Sequence, residues 1–124
     1  MREFVTGATR DSEDGKIDYE GFISPVVLER YGQYMHMHRK QADGKLRDSD
    51  NWQKHFGENH FAVCMKSMWR HFVDLWFLHR GYKRYDKKDG HEITKDEAIC
   101  AILFNCIAYL DKFLKDKLSK RKRK

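Results

Sequence analysis

The strongest constraint on the fold is an apolar run of 13 residues, 98–110, interrupted only by Asn105. It is well short of the roughly 20 residues needed to cross a bilayer, so we expect no membrane span. The run is apolar almost all round at helical spacing, which an outer helix of a small monomer would not tolerate. Thr94 and Glu97 form a capping-box pattern ahead of it. The pattern predicts a helix over residues 94–118 that is either central in the fold or part of a subunit interface.

Two more helices are predicted upstream. Ser24 and Pro25 are typical of a helix start, and the apolar spacing then predicts a helix to about residue 40. A second helix is predicted over residues 59–79, ahead of Gly81. The segment between them is polar and contains Trp52, so we expect a functional loop that this side chain pins to the body.

The chain has no βαβ pattern, no glycine-rich phosphate loop and no internal repeat. The predicted class is therefore all-α, a small bundle of about three main helices. Because three helices cannot cover the apolar run from all sides, we expect the chain to form an oligomer. We divide the chain into a non-helical N-terminal arm (residues 1–22), a helical domain (residues 23–118) and a basic tail (residues 119–124).

The net charge of +6 lies at the C-terminus. Residues 115–124 hold seven basic and one acidic residue, so the other 114 residues hold 18 of each and sum to zero. A folded surface that tracks phosphates needs many clustered Lys and Arg contacts, and this body does not have that excess. The tail alone could bind nucleic acid or an acidic partner weakly, or simply be solvated.

The cysteines and the N-terminus exclude several further classes. Cys64, Cys100 and Cys106 show no C-x-x-C spacing and lie in apolar helix runs, so we expect no zinc site, disulfide framework or covalent catalysis. The N-terminus has no apolar signal region, which predicts a cytoplasmic location.

Carboxylates and a histidine lie at the edges of the predicted helix faces: Glu29, His71, Asp74 and Glu97. Hard divalent ions prefer oxygen ligands of this kind, and a bundle interior can gather them from facing helices. Each has a structural alternative: Glu97 as a capping residue, Glu29 in a surface ion pair, and His71 as a hydrogen-bonded core residue. Asp74 stands among aromatic and aliphatic neighbours, where a carboxylate costs free energy unless a cation or donor meets it.

Several other side chains are candidates for contacts with a phosphorylated ligand. Asn105 lies in the apolar run, where an unpaired amide costs roughly 1 to 3 kcal/mol, so it either recognises a ligand or bonds a neighbouring helix. The basic groups that could meet phosphates are Arg10, Lys16, Lys54 and Arg70.

Five blocks of sequence together resemble the bacteriophage dATP/dGTP diphosphohydrolase N-terminal-type family, which is related in function to the all-α MazG-like nucleoside triphosphate pyrophosphohydrolases. The resemblance covers most of residues 5–110, and the blocks read TGATRD at residues 6–11, GKIDYEGF at 15–22, LERY at 28–31, DNWQK at 50–54 and MWRHF at 68–72. The resemblance implies hydrolysis of a purine deoxynucleoside triphosphate to the monophosphate and pyrophosphate. It further implies Mg²⁺ or Mn²⁺, a dimer or tetramer of helical subunits, and action on the nucleotide pool of the infected host cell.

The chain departs from the MazG-like pattern because it lacks the paired E-x-x-E and E-x-x-D helices. The nearest substitute is His71-x-x-Asp74 together with Glu97. On this hypothesis Asp74, Glu97 and Glu29 hold the metal, and Asp74, Glu97 and His71 are catalytic.

The predicted substrate contacts complete the hypothesis. The basic groups offset phosphate charge, the base stacks on Trp52 or a tyrosine, and Asn51 or Asn105 reads its edge. The rival hypothesis is a non-enzymatic phage accessory module that binds DNA or an acidic partner through its basic tail. A third is a structural interaction domain without a ligand.

Overall fold

The computed structural model describes residues 1–122 and is mostly helical, which confirms the all-α prediction. In chain order the elements are strands β1 (Arg2–Glu3) and β2 (Thr9–Arg10), helices α1 (Tyr19–Phe22) and α2 (Pro25–Met37), a 3₁₀ turn (Asn51–Lys54), and helices α3 (His60–His79) and α4 (Lys95–Lys122). Within residues 1–122 no helix combines the length and the apolar character that crossing a membrane requires.

Helix α4 is the centre of the fold. Both α2 and α3 pack on it, and so does the 3₁₀ turn, whereas α2 and α3 do not contact each other within the described chain. Its buried positions are mostly small, including Ala98, Ala101 and Ala108, which lets the neighbouring helices approach closely. The central position is one of the two alternatives that the apolar run predicts.

Helices α3 and α4 run antiparallel. His60, at the start of α3, bonds the carbonyl of Ala108 in the middle of α4 at 2.8 Å. The two helices are joined by a hairpin in which Tyr85 pairs with Glu92 and the buried Ile93 donates its N–H to the carbonyl of Arg84 at 2.9 Å. The connection between the two helices is therefore an ordered hairpin.

Helix α2 starts as predicted, because the Ser24 hydroxyl accepts from the N–H of Val27 at 3.4 Å. It ends at Met37, three residues before the predicted end. The chain then forms a small hairpin in which Lys40 pairs with Leu46, and Gly44 takes a φ of +84° that favours glycine at the turn.

The C-terminal end of α4 extends further than predicted. The helix continues to Lys122 and so includes residues 119–122, which the sequence analysis assigns to a separate basic tail. A run of Lys and Arg in the last turns of a helix interacts favourably with its dipole, which accounts for the extension. The last two residues of the predicted tail, Arg123 and Lys124, lie outside the described residues.

The N-terminal arm is an ordered hairpin followed by one helical turn. Arg2 pairs with Arg10 across β1 and β2, and Gly7 occupies the turn with a φ of +91°. The short helix α1 lies inside the arm predicted to be non-helical, because the Asp18 carboxylate caps it by accepting from the N–H of Gly21 at 2.9 Å. Within residues 1–122, β1, β2 and α1 pack on no helix of the body.

Candidate functional site

A cavity of about 440 Å³ opens between α2, the hairpin that follows it, the 3₁₀ turn and α4. It is lined mainly by aromatic and basic side chains together with a few small polar groups. The lining residues are Tyr34, Met35, His38, Arg39, Arg47, Asp48, Ser49, Asn51, Trp52, Phe56 and Phe104. Its volume is within the range of small-molecule sites.

Two arginines from the hairpin after α2 form the basic wall of the cavity. Arg39 Nε donates to the carbonyl of Arg47 at 2.7 Å, and Arg47 Nη1 donates to the carbonyl of His38 at 3.0 Å. Each guanidinium has five N–H donors, so one bond to the backbone orients it and leaves donors available for an anion.

The opposite wall is aromatic. The rings of Trp52 and Phe56 lie 6.2 and 6.3 Å from the ring of Phe104, both edge to face. Burial raises the pKa of the Tyr34 phenol to about 12, with Glu97 contributing further, so Tyr34 is a neutral hydrogen-bond donor at physiological pH. The cavity can therefore hold a flat ring and donate a hydrogen bond to it.

The segment that carries Trp52 and Phe56 is anchored to the α3–α4 pair. His55 takes a φ of +67°, unusual for a residue other than glycine, and its Nε2 lies 3.0 Å from Asp111 Oδ2 on α4. The backbone N–H of Phe56 donates to Nδ1 of the fully buried His60 at 3.0 Å. These bonds fix the aromatic wall relative to α4.

The predicted catalytic pair on α3 lies close together. Asp74 is half-buried, and its Oδ1 accepts from Arg84 Nε at 2.9 Å while its Oδ2 lies 3.9 Å from His71 Nδ1. The arginine supplies the cation that the apolar surroundings of Asp74 require. The second oxygen remains directed toward His71.

Glu97, at the start of α4, accepts from the ring of His91. Nε2 of His91 is 2.9 Å from both oxygens of Glu97, and Nδ1 faces Asp89. The hydrogen bonds to Glu97 and Asp89 raise the pKa of His91 to about 9, so this imidazole is positively charged at neutral pH. The N–H of Glu97 also donates to the Thr94 hydroxyl at 3.3 Å, which is half of the predicted capping box.

The charges of Asp74, Glu97 and His38 shift the pKa values of nearby side chains. Burial lowers the pKa of His71, while the charges of Asp74 and Glu97 act on the same ring to raise it and that of His38 acts to lower it. His38 lines the cavity, and Glu97 also acts on Tyr34. The imidazole of His71 thus lies in the field of two carboxylates, and none of His71, Asp74 and Glu97 lines the cavity.

One further group of possible ligands lies in the hairpin between α3 and α4. Asp86, Asp89 and His91 offer ligand atoms within 4.8 Å of one another. Hydrogen bonds already account for this geometry, because Asp86 Oδ1 accepts from the N–H groups of Lys88 and Asp89. We assign this group to the hairpin turn.

The predicted substrate contacts are divided between separate regions. Asn51 and Trp52 line the cavity, as a nucleotide-binding role requires. Arg10 and Lys16 lie far along the arm, where they line another depression of about 580 Å³ together with Arg2. Nothing within residues 1–122 brings that depression into contact with the helices.

The remaining predicted residues do not line the cavity. Lys54 and Arg70 are both exposed, the first in the 3₁₀ turn and the second beside His71 on α3. Asn105 is buried, and its Nδ2 donates to the carbonyl of Ala101 one turn earlier in α4 at 2.8 Å, so the amide bonds its own helix and not a neighbouring one. Glu29 is exposed on α2 and takes part in none of the hydrogen bonds or ion pairs within the described chain.

Sequence analysis missed the basic wall. Arg39 and Arg47 flank a turn formed by Ala42, Asp43 and Gly44, so a turn sequence between two basic segments was the available signal. The signal was missed because the preceding helix was predicted to continue past Arg39, to about residue 40.

Comparison of this chain with protein-family models, with curated proteins and with solved structures gave no match.

Proposed function

We propose that the chain is a metal-dependent pyrophosphohydrolase that converts a purine deoxynucleoside triphosphate to the monophosphate and pyrophosphate, and that it acts as a homo-oligomer in the cytoplasm of a phage-infected cell. The observation that carries the proposal is the cavity, which aromatic and basic side chains line. The proposed catalytic residues His71, Asp74 and Glu97 lie outside its lining. The choice of purines and the phage context extend from the resemblance alone.

The cavity has complementary surfaces for the two ends of a nucleotide. The base packs against Trp52 and Phe104, because any nucleobase presents a π-face to an aromatic ring. The free donors of Arg39 and Arg47 bind phosphate oxygens, which a guanidinium can grip two at a time. Asn51 lines the cavity and is the proposed contact to the base edge or the sugar.

The donor atoms of Asp74 and Glu97 are of the kind that a divalent cation binds, but within residues 1–122 the ligand atoms of His71, Asp74 and Glu97 do not lie within 4.8 Å of one another, so binding would require them to move together. Asp74 has one oxygen free of Arg84, and Glu97 shares a single N–H between two oxygens. Asp74 and Glu97 would hold the ion. When bound, Mg²⁺ or Mn²⁺ supplies neutralisation of the triphosphate and a lower pKa for water. Glu29 is not included in this set.

His71 is the proposed general base. Its Nδ1 lies 3.9 Å from Asp74 Oδ2, which is longer than a hydrogen bond, and on this proposal the carboxylate moves closer when substrate binds, so that the ring proton is on Nδ1 and the lone pair of Nε2 is free. Water attacks the α-phosphorus, its proton passes to Nε2 of His71, and the bond from the α-phosphorus to the bridging oxygen breaks to release pyrophosphate. The low pKa of His71 keeps this base unprotonated at neutral pH.

The test is release of pyrophosphate from each of the four deoxynucleoside triphosphates with MgCl₂ or MnCl₂. We expect purine-selective release that falls by at least about 100-fold in Asp74→Asn, a loss within the range of a general acid–base arrangement. Arg84→Gln is the matched control because it breaks the same ion pair but keeps the carboxylate. Asp116→Asn controls for loss of a carboxylate at an exposed position of α4.

The control separates a catalytic carboxylate from a structural one. If Asp74 serves only to pair with Arg84, Asp74→Asn and Arg84→Gln should lose activity and thermal stability in parallel. No pyrophosphate release by the native protein, with any of the nucleotides or either metal, refutes the proposed activity.

A further inference from the structure

We propose that the chain forms a twofold dimer in which the N-terminal arm of each copy covers the outer face of α3 of the other. We define the outer face as Met65, Trp69, Phe72 and Trp76, together with the neighbouring Arg80. The inference concerns assembly and holds whether or not the cavity hydrolyses nucleotides.

The outer face of α3 is a continuous apolar stripe without a cover in the single chain. Met65, Trp69, Phe72 and Trp76 follow the i, i+4, i+7, i+11 spacing that aligns side chains on one helix face. They are 45, 62, 47 and 54% exposed. Two shallow apolar grooves open along the stripe, one of about 280 Å³ at Met65 to Phe72 and one of about 450 Å³ at Trp76 and Arg80.

The arm is the complementary surface on the same chain. Ile17, Tyr19, Phe22 and Ile23 are 61, 73, 78 and 58% exposed, although α1 is a formed helical turn with a side-chain cap. Within residues 1–122, neither α1 nor the β-hairpin before it packs on a helix of the body. Ordered apolar side chains without a partner in their own chain mark an interaction surface.

The exposed area is too large for a monomer of this mass. A folded monomer of 15.0 kDa exposes about 7,000 Å². This chain exposes 10718 Å², about 3,700 Å² more. Two copies together expose about 7,400 Å² more than two compact monomers would, which exceeds the roughly 2,000 to 5,000 Å² that obligate homodimer interfaces bury over both partners, so covering the arm and the outer face in each copy gives an interface of ample size.

Charge favours the arm of a second copy over an unrelated partner. Residues 11–20 of the arm hold five acidic residues and one basic residue, whereas residues 80–88, which follow the outer face, hold five basic and one acidic. Arg80 stands at the groove beside Trp76. One chain therefore presents both an apolar arm with acidic flanks and an apolar face with a basic flank, which is what a self-complementary dimer requires.

The experiment is sedimentation equilibrium of the full chain over a range of concentrations, without nucleotide. We expect a particle of twice 15.0 kDa. The arm variant Phe22→Asp/Ile23→Asp and the face variant Trp69→Ser/Trp76→Ser should each raise the dimer dissociation constant by at least about 100-fold. Leu118→Asp is the control because Leu118 is 53% exposed but lies outside both surfaces. Circular dichroism checks that each variant is folded.

Mixing the two variants gives the decisive measurement. The arm variant keeps an intact face and the face variant an intact arm, so an equimolar mixture should form heterodimers through one remaining arm contact, although neither variant dimerises alone. Refutation has three forms: a native chain that stays monomeric at about 100 μM, an arm variant that dimerises as tightly as the native chain, or a mixture that forms no heterodimer. A face variant that does not fold is replaced by Arg80→Glu/Lys83→Glu, whose defect should be rescued by Asp14→Lys/Glu20→Lys in the partner.

Discussion

Loss of the Arg47 guanidinium should weaken nucleotide binding without unfolding the protein. Arg47 uses Nη1 to bond the carbonyl of His38 and has further donors toward the cavity. A hydrogen bond to a charged group contributes about 1.5 to 3 kcal/mol, and because Arg47 is exposed we take the lower limit. We therefore expect Arg47→Gln to raise the dissociation constant of a deoxynucleoside triphosphate by roughly tenfold. The dissociation constant of Arg47→Lys should lie between those of the native protein and Arg47→Gln, because lysine keeps the charge but loses the paired N–H donors of the guanidinium.

The assay is isothermal titration calorimetry without divalent metal, so that hydrolysis does not compete with binding. Lys45→Gln is the matched control, since Lys45 lies in the same hairpin and carries the same charge but does not line the cavity. Thermal unfolding of both variants separates a binding defect from damage to the hairpin. Equal affinities for Arg47→Gln and Lys45→Gln in folded protein would show that the basic wall does not bind the phosphates.

Three further predictions concern stability. His60→Leu leaves the N–H of Phe56 without its acceptor, so the free energy of unfolding should fall by about 1 to 3 kcal/mol in urea denaturation. A loss below about 0.5 kcal/mol would contradict a stabilising hydrogen bond at His60. Ala108→Leu should lower the free energy of unfolding by about 1 to 3 kcal/mol in the same measurement, because Ala108 is 0% exposed and has no room for a larger side chain. An unchanged unfolding midpoint would contradict close packing at Ala108. The pKa of His91 rises on folding from its usual 6.5 to about 9, so its contribution is full below about pH 6.5 and is lost as the pH rises through 9. His91→Gln should remove that part of the pH dependence while Glu97 stays in place, and a variant with the native pH profile would refute this linkage.

The long elements were predictable from periodicity and capping residues, and the short ones were not. The Ser24 cap and the apolar spacing of α3 predict helix positions well because they report interactions within a few residues. The predicted end of α2 was wrong because Lys40 pairs with Leu46 in the hairpin after the helix. This backbone pairing competes with one more helical turn. Helix α1 was missed because a four-residue helix has no period to detect and depends on the Asp18 cap alone.

The candidate site shows the same division. Position along a helix places His71 and Asp74 on one side of α3, and the structure has them as neighbours. The partner of Asp74 could not be predicted, because Arg84 comes from the hairpin after the helix and reaches back to it. Asn105 was singled out because an amide in an apolar run needs a partner, but the sequence could not show that its own helix provides one. The purine substrate, the metal and the phage context, which rest on the resemblance, remain predictions.

Glu97 and Phe104 are seven residues apart on α4, two turns along the same side, which separates the acidic end of the site from its aromatic wall by about 10 Å. A compact molecule can reach only one of these ends at a time. On the proposed function, a divalent cation at Glu97 would let an elongated molecule that joins a ring to a chain of anionic groups engage both ends, since engagement of one end raises the effective concentration of the other, whereas free adenine would engage only the aromatic wall. The spacing along one helix would then favour ligands of matching length.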